Sequence, residues 1–370
     1  MQASQRRFHL GIYERILCFI VLFWAAAASF HGYDTRHGLN YQVKGLERFR
    51  GMLDGTASRP FIYRQLLPAT ANEVDRLVPG SFKTRLASLV DGDGEKFYEA
   101  VFALPQQGDL DYFFRSLILY IEIFLSAFAA AYFMFLMCME EGVAPIASLA
   151  ASVLFILLLP YIMSEGGGKI YDYAELAFFA LSIWMLRRFH WWWLVPVAVL
   201  ATLNKESYLF FLITLYPVIR RRYSLVMSLV ALGVLAAVCA GVYAMIWLHF
   251  RNSPGSTVEV HFQDVLRYYF KPQHFIGRPL VVYGIFAVDI LSILPIAFIV
   301  WTIRRGWGKL SREFRRHAQL AAIINLPLFF LFCWPGEARN LSMLYLPLVL
   351  CFAFNFAGFT GMDTRTVKQS

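Results

Sequence analysis

The clearest indication of the fold class is a stretch of 26 residues without a single charge: YSLVMSLVALGVLAAVCAGVYAMIWL, residues 223–248. A helix needs about 20 apolar residues to cross the hydrocarbon layer of a bilayer, which is roughly 30 Å thick. The stretch directly follows Arg220, Arg221 and Arg222. Basic residues next to an apolar run are typical of the cytoplasmic end of a membrane span. Residues 223–248 therefore predict a transmembrane helix.

The composition extends this conclusion to the rest of the chain. Of its 370 residues, 58% are hydrophobic and only 16% are charged. A soluble domain has about 25% charged residues, so a disordered protein, a disulfide-stapled secreted module and an ordinary cytosolic enzyme are excluded. The five cysteines lie in or beside apolar segments without metal-ligand spacing, and we expect them to be small buried hydrophobes. The chain is predicted to be an integral membrane protein.

Apolar runs bounded by charged residues predict the number of spans. With Arg6 and Arg7 on the cytoplasmic side, the basic groups at 187–188, 220–222, 304–316 and 365–368 all fall on that same side. The net charge of +9 therefore reports topology, and no nucleic-acid partner is expected. We predict an all-α polytopic protein, a single transmembrane domain over residues 1–370, with both termini cytoplasmic. The roughly ten predicted spans are 11–30, 112–138, 143–163, 173–188, 191–203, 207–219, 223–248, 279–303, 318–334 and 341–358.

A long polar loop, residues 31–111, separates the first two predicted spans. It is too long to be a plain connector, which favours a functional role. The segments QLLPATANEVDRLV, SFKTRLASLV and EKFYEAVFAL within it have apolar residues three and four positions apart. This spacing predicts short amphipathic helices at the membrane interface, and a small soluble domain is the alternative.

Four clusters of polar residues fall on the predicted non-cytoplasmic face. They are GYDTRHG with GTASRPFIYRQLLP in the first loop, SEGGGKIYDYAE at 164–175, Asn204-Lys205-Glu206, and PGEARN at 335–340. The segments that flank the third cluster, 191–203 and 207–219, reach only about 20 Å each as helices. This cluster is therefore predicted to lie below the membrane surface, in a cavity lined by protein, where ionisable groups indicate function. The alternative for Lys205 and Glu206 is a structural pair at a tight helical hairpin.

The residue types in these clusters indicate the ligand. Arginine and lysine bind phosphate or diphosphate groups, while acids and aromatic rings suit hydroxyl-rich, sugar-like groups. A phosphate, a sugar and a tail held by the bilayer together describe a lipid-linked sugar. The histidine spacing does not indicate a metal site. The predicted substrate-binding residues are Arg36, Arg59, Tyr63, Arg64, Glu165, Lys169, Asp172, Glu175, Asn204, Lys205, Glu206, Glu337, Arg339 and Asn340.

This layout resembles the GT-C superfamily of integral membrane glycosyltransferases, in particular bacterial members with a PFxYRxLLP-like element in the first loop. Here that element is PFIYRQLLP, residues 60–68, and the segments YDYAEL, NKES and GEARNLSMLYLP are similar to later elements of such proteins. The resemblance implies a GT-C-like fold. It also implies a polyprenyl-phosphate sugar as donor and an acidic general base in the first outward loop.

The resemblance makes Asp34, in GYDTRHG, the predicted catalytic base. Arg64, Lys205 and Arg339 are the predicted cations that stabilise the departing phosphate. The first loop has no adjacent pair of acids, so Glu47 and Asp54 are rivals to Asp34. For the same reason a divalent metal stays possible, although none is indicated.

The shared face of the polar clusters and the resemblance to the GT-C superfamily together imply an inverting glycosyltransferase of the bacterial inner membrane. Its active site would face the periplasm, its partners would include membrane lipids, and its acceptor would be a glycan, a lipid or a protein. One alternative is a transporter or flippase of lipid-linked saccharides, which needs polar groups along a path through the membrane. A polysaccharide polymerase or ligase is a second alternative, because it needs the same parts.

Overall fold

The computed structural model shows an all-helical chain, as the hydropathy pattern predicts. Every regular element of the described residues is an α-helix or a short 3-10 helix, which confirms the all-α prediction. The described residues are 10–37, 50–90, 110–163, 171–271, 293–334 and 337–362.

The α-helices are numbered here in chain order. Short 3-10 helices at Phe61–Tyr63, Trp191–Trp193 and Ala338–Leu341 connect some of them. The α-helices are α1 (Ile12–His37), α2 (Leu66–Leu77), α3 (Gly80–Val90), α4 (Leu110–Glu140), α5 (Pro145–Met163), α6 (Asp172–Arg188), α7 (Leu194–Asn204), α8 (Ser207–Thr214), α9 (Tyr216–Arg220), α10 (Leu225–His249), α11 (Phe262–Tyr269), α12 (Ile293–Trp307), α13 (Arg312–Phe332) and α14 (Ser342–Phe359).

Among the described residues, four helices are long and apolar enough to cross a membrane. They cover Ile12–Phe30, Phe114–Glu140, Leu225–His249 and Ala338–Phe359. The charge-free run at 223–248 thus forms α10. Shorter apolar helices cover Pro145–Pro160, Trp191–Asn204 and Ser207–Arg220. These lengths and compositions mark the chain as a membrane protein.

The share of buried residues separates peripheral spans from central ones. Of the most apolar 18 residues of α10, only 22% are buried, against 72% for the span Ala338–Phe359. α10 is therefore peripheral, and the last span is central. α6 is buried along most of its length even though it begins with Asp172 and Glu175. Because burying a charge is costly unless it is paired, the burial of this helix start predicts nearby partners of opposite charge.

Aromatic contacts give the direction of the first helices. Phe19 of α1 contacts Tyr132 of α4, with ring centroids 6.3 Å apart, and Phe30 contacts Tyr120 at 4.5 Å. The later residue of α1 thus meets the earlier residue of α4, so these two helices are antiparallel. Phe30 also contacts Tyr173 at the start of α6, at 6.3 Å. The last turns of α1 therefore lie at the same end of the bundle as the start of α6.

The segment from 191 to 220 forms a hairpin whose tip is Asn204-Lys205-Glu206. Arg222 Nη1 donates to the Phe189 carbonyl at 2.7 Å, so the residues before α7 and after α9 lie side by side. The predicted pair of short helices is confirmed. One difference is that the second limb divides into α8 and α9, because Pro217 has no backbone N–H to continue the helical ladder.

The hairpin defines two ends of the molecule. We call the end with Arg187, Arg188 and Arg220 to Arg222 the basic end, and the end with the hairpin tip the site end. α13 begins at the basic end, because His317 Nδ1 donates to the Thr214 carbonyl near the end of α8 at 2.8 Å.

The first loop has the short helices that its apolar spacing predicts. α2 and α3 match the segments QLLPATANEVDRLV and SFKTRLASLV, whereas EKFYEAVFAL lies outside the described residues. α2 packs against α4 and α7, and it buries Leu67, Pro68 and Ala71. The first loop is therefore attached to the bundle next to the hairpin tip.

Candidate functional site

Lys205 is the centre of a buried network of charges at the site end. It lies between α7 and α8 in extended backbone geometry. Its ammonium donates to Asp172 Oδ1 at 3.1 Å, to Glu175 Oε2 at 2.9 Å and to Asn340 Oδ1 at 3.4 Å. An ammonium has three N–H donors, so these three contacts use all of them.

The first turn of α6 supplies both carboxylates. Asp172 and Glu175 are three residues apart, a spacing that puts two side chains on the same face of a helix. Asp172 Oδ2 also accepts from Arg339 Nη1 at 3.0 Å, and Ser207 Oγ donates to Glu175 Oε1. Asp172 thus bridges Lys205 and Arg339, which brings opposite charges together at a buried position.

The segment before α14 closes the network. Glu337 accepts from Arg339 Nη2 at 2.6 Å with one oxygen and from Asn340 Nδ2 at 3.0 Å with the other. Asn325 of α13 donates to the Asn340 carbonyl at 2.8 Å. These contacts hold the 3-10 helix Ala338–Leu341 against α13 and fix the Arg339 guanidinium.

Arg64 forms a second ion pair beside this network. It contacts Glu206 through two nitrogens, Nη2 to Oε1 at 2.9 Å and Nε to Oε2 at 3.4 Å. Its guanidinium lies over the Tyr171 ring at 4.1 Å, and Nη1 donates to the Tyr171 hydroxyl. Burial alone would lower the pKa of Arg64, but the Glu206 carboxylate and Tyr171 raise it above its ordinary value. The guanidinium therefore stays charged.

The partners of Lys205 and Glu206 differ from the simplest structural alternative. That alternative pairs these two neighbours with each other at the hairpin tip. Instead, Lys205 pairs with α6 and Glu206 pairs with the first loop. Gln65 N also donates to the Leu203 carbonyl at 2.8 Å, which fixes the first loop against the hairpin. The tip therefore connects α6, the first loop and, through Asn340, the segment before α14.

A cavity of about 480 Å³ lies beside the two ion-pair groups. Arg64, Lys205, Glu206 and Arg339 are on its polar wall. Another part of the lining, called here the apolar wall, is apolar and aromatic, and the segment between α10 and α11 contributes residues that we call the rim. The residues of the apolar wall and the rim are Phe210, Tyr243, Leu328, Phe329, Phe332, Trp334, Thr257, Val258, Glu259 and His261.

Most of the described residues predicted for the site lie at or next to this cavity. Tyr63, Glu175, Glu337 and Asn340 line it together with the four residues of the polar wall. Asp172 lies behind it, in contact with both Lys205 and Arg339. Asn204 is buried and donates to the Tyr171 carbonyl at 2.9 Å, so it supports the tip.

Arg59 is placed differently from the other predicted residues. Its backbone N–H donates to the Pro254 carbonyl at 2.7 Å, and its Nη1 donates to the Arg251 carbonyl at 3.3 Å. These contacts attach the first loop to the segment between α10 and α11. Arg59 does not line the cavity.

Of the three candidate bases, only Asp54 has a side chain that the structure describes. Asp34 and Arg36 belong to the last turns of α1, at the site end, but their side chains are outside what the structure describes. Glu165, Lys169 and the rival Glu47 lie outside the described residues. The rival Asp54 pairs with Arg115 at 2.8 Å and does not line the cavity.

The cavity also contains residues that sequence reasoning did not select. The His261 ring contacts the Trp334 ring in a tilted arrangement, with centroids 4.3 Å apart, and its Nε2 lies 3.4 Å from Glu259 Oε2. Tyr243 comes from the apolar α10, and Asn325 from the middle of α13. The spacing of the histidines does not single out His261, and a lone Asn or Tyr within an apolar run is a weak signal. A polar residue inside a predicted span could have identified Asn325.

Taken together, the fold and the site define a helical membrane protein with a charged cavity at one end of its bundle. Within the described ranges, no group of three or more His, Cys, Asp or Glu side chains could hold a metal ion. Comparison with known protein families, with curated proteins and with solved structures finds no match for this chain.

Proposed function

We propose that this chain is an integral membrane glycosyltransferase with a GT-C-like fold. It would take a sugar from a polyprenyl-phosphate donor and transfer it to a glycan, lipid or protein acceptor on the non-cytoplasmic side. One observation carries the proposal. A single cavity joins a buried network of paired charges to an apolar, aromatic wall at one end of a membrane bundle.

The dimensions and chemistry of the cavity fit such a donor. Its volume of about 480 Å³ is within the range of about 300–1,000 Å³ for small-molecule sites. The polar wall offers donors and acceptors for sugar hydroxyls and a cation for phosphate. The apolar wall, which includes Phe329 and Phe332 of α13, suits the first isoprene units. The bilayer would hold the rest of the tail.

The hydrogen bonds divide the roles of the three predicted cations. Lys205 has all three donors in use, so we assign it to holding Asp172 and Glu175 in place. Arg64 has five N–H groups, of which three contact Glu206 and Tyr171, so two remain for a phosphate oxygen. We assign the phosphate contact to Arg64. Arg339, whose contacts with Asp172 and Glu337 use two of its five N–H groups, is the second candidate for this contact.

The proposed reaction is a displacement at the anomeric carbon. A carboxylate base removes the proton of an acceptor hydroxyl while its oxygen forms the new bond to this carbon. The bond from the carbon to the phosphate oxygen breaks, and the electron pair leaves with the phosphate. Configuration at the carbon is inverted. Asp34 is the proposed base. Glu47 and Asp54 are its rivals, although the ion pair with Arg115 makes Asp54 the weaker of the two.

The proposed topology has about ten spans, both termini in the cytoplasm and the cavity on the periplasmic side of a bacterial inner membrane. The hairpin supports it, because Arg187-Arg188 and Arg220 to Arg222 lie at one end while the cavity lies at the other. The positive-inside rule puts the basic end in the cytoplasm.

Transfer assays on purified protein in liposomes test the proposal. A panel of polyprenyl-phosphate sugars would be offered with cell-envelope glycans and lipids as acceptors. We expect Asp34→Asn and Arg64→Ala to lower transfer about 100-fold or more, the usual loss when a group that stabilises the transition state is removed. Arg64→Lys should not restore it, because lysine cannot make the two-nitrogen contact.

The matched control is Arg76→Ala, which removes an exposed arginine of α2 that pairs with Glu73. Size-exclusion profiles and melting temperatures would show that each variant is folded. Full transfer by folded Asp34→Asn and Arg64→Ala proteins would contradict the proposed site. Movement of a lipid-linked saccharide across the liposome membrane without a transfer product would favour the transporter.

A further inference from the structure

Two groups of arginines that are distant in sequence meet at the basic end. One group follows α9 and consists of Arg220, Arg221 and Arg222, and the other opens α13 and consists of Arg312, Arg315 and Arg316. We call these six residues the arginine surface. α9 packs against α13, which brings the two groups to neighbouring positions.

The helix geometry puts both groups at the same depth. His317 and Thr214 are in contact at 2.8 Å, so they lie at one level of the bundle. Arg220 is six residues beyond Thr214 toward the basic end, which is roughly 9 Å at the rise of an α-helix. Arg312 is five residues from His317 in the same direction, roughly 8 Å. The groups therefore form one surface rather than two.

The charges of this surface are not neutralised by acids within the described structure. Arg220 and Arg222 each donate to a backbone carbonyl, of Tyr223 and Phe189, and neither forms an ion pair with a carboxylate. Arg221 and Arg316 are exposed, with no ion pair among the described residues. At the site end, by contrast, Arg64, Lys205 and Arg339 are all paired with acids.

Arg187 and Arg188, which also lie at the basic end, are paired with acids, unlike the arginine surface. Arg187 pairs with Glu141, and Arg188 pairs with Glu140. The fold thus neutralises two arginines with acids from the end of α4 and leaves the arginine surface for an external anion. Glu313 is the one acid within the sequence of these two groups.

Exposed tryptophans next to the arginine surface indicate where it lies relative to a bilayer. Trp192 and Trp193 are 49% and 54% exposed, and they precede α7 beside Tyr223 and Arg222. Tryptophan is enriched at the head-group level of membranes, and arginine there attracts anionic lipids. The charge of the arginine surface, its depth in the bundle and the neighbouring tryptophans therefore all favour an anionic lipid head group as its ligand.

We propose that the arginine surface binds the phosphate-bearing head groups of anionic phospholipids at the basic end of the bundle. One head group contacts arginines from both segments and so ties the end of the hairpin to α13. This site is separate from the cavity, and the proposal does not depend on the proposed transferase function.

Lipid titration of the full chain in detergent tests this proposal by native mass spectrometry. The probes are dioleoyl-phosphatidylglycerol and dioleoyl-phosphatidylcholine. We expect the phosphatidylglycerol to bind more tightly, with affinity that falls as salt rises. Each arginine near an anionic lipid strengthens binding roughly fivefold, so Arg221→Gln and Arg316→Gln should each cost about fivefold and the double variant on the order of 25-fold.

The matched control is the double variant Arg76→Gln and Arg85→Gln, which removes the same charge from exposed positions of α2 and α3. Its affinity should stay within about twofold of the unmodified protein. Equal binding of the two lipids, or equal losses in both double variants, would overturn the proposal. An effect of only one of the two single variants would show that the segments do not share a head group.

A competition experiment separates a lipid from a soluble polyanion. Heparin would be added to the protein with bound phosphatidylglycerol. Retention of the lipid supports the proposal, because a head group is held together with its acyl chains. Displacement of the lipid by heparin, with the same dependence on Arg221 and Arg316, would assign the surface to a soluble acidic partner instead.

Discussion

Lys205 shows at the scale of one residue how this membrane protein tolerates buried charge. Its side chain is 7% exposed, and its ammonium lies between Asp172 and Glu175, which are 1% and 2% exposed. A buried ion pair gains little over an apolar pair, but loss of one partner leaves an uncompensated charge. The network is therefore sensitive to any change that removes a single member.

Replacement of Lys205 by methionine should destabilise the fold strongly. Lys205→Met keeps the length of the side chain but leaves buried Glu175 without a cation and Asp172 with Arg339 alone. We expect a loss of about 3–5 kcal/mol in the free energy of unfolding. The measurement is thermal or denaturant unfolding of the detergent-solubilised protein. Lys271→Met, at an exposed position after α11, is the control and should leave stability nearly unchanged.

The three cations of the site can be identified from the sequence, whereas their pairing with particular acids cannot. Arg64, Lys205 and Arg339 are detectable because charges next to apolar runs are rare and costly. Their partners are not detectable in the same way. Lys205 and Asp172 are 33 residues apart, and Arg339 and Asp172 are 167 apart. Nothing local in the sequence relates these positions to each other.

Among the elements, α12 and α14 make an unusually close contact. A Cβ atom added at Gly306 would lie 2.7 Å from the Cα and Cβ atoms of Cys351. Real Cβ atoms do not approach other atoms so closely, so only glycine allows these helices their observed separation. A small residue at a helix contact is a common feature of membrane bundles.

Gly306→Ala should therefore separate α12 from α14 and lower stability by about 1–3 kcal/mol, the usual cost of overpacking. Gly308→Ala, two residues later, is the matched control, because an added Cβ there meets no atom within 4 Å. We expect the control to be neutral or slightly stabilising. Melting temperatures of the two variants test this directly, and a Gly306→Ala protein as stable as the control would contradict the close contact.

The sequence predicts individual helices well, but it predicts the positions where a helix is interrupted less well. Apolar runs predicted α10 and the short limbs of the hairpin, because hydropathy is a local property. The division of the second limb at Leu215 was not predicted, although Pro217 was a visible signal. The predicted span 279–303 lies only partly within the described residues, which begin again at α12.

The whole molecule has two ends of different chemistry. The site end holds a cavity among paired charges, and the basic end has arginines without acidic partners among the described residues. The positive-inside rule predicts that the basic end faces the cytoplasm. This orientation puts the cavity on the opposite side of the membrane, where a lipid-linked donor would be used.

Cysteine labelling can test this orientation, because all five native cysteines are buried and should react slowly. Val258→Cys adds a thiol at the rim of the cavity, and Trp192→Cys adds one at the basic end; both positions are exposed. In intact cells a membrane-impermeant maleimide should label Val258→Cys but not Trp192→Cys. Both should be labelled after the membrane is broken. The opposite pattern in intact cells would reverse the topology.

Hydropathy and charge along the chain are enough to identify a helical membrane protein, its apolar runs and the polar segments between them. These properties follow from hydropathy and charge, which each short segment has on its own. The network of Asp172, Lys205 and Arg339, and the surface formed by the arginines at 220–222 and 312–316, are visible only in the packed bundle. An ion pair depends on the distance between side chains, and packing of distant helices sets that distance.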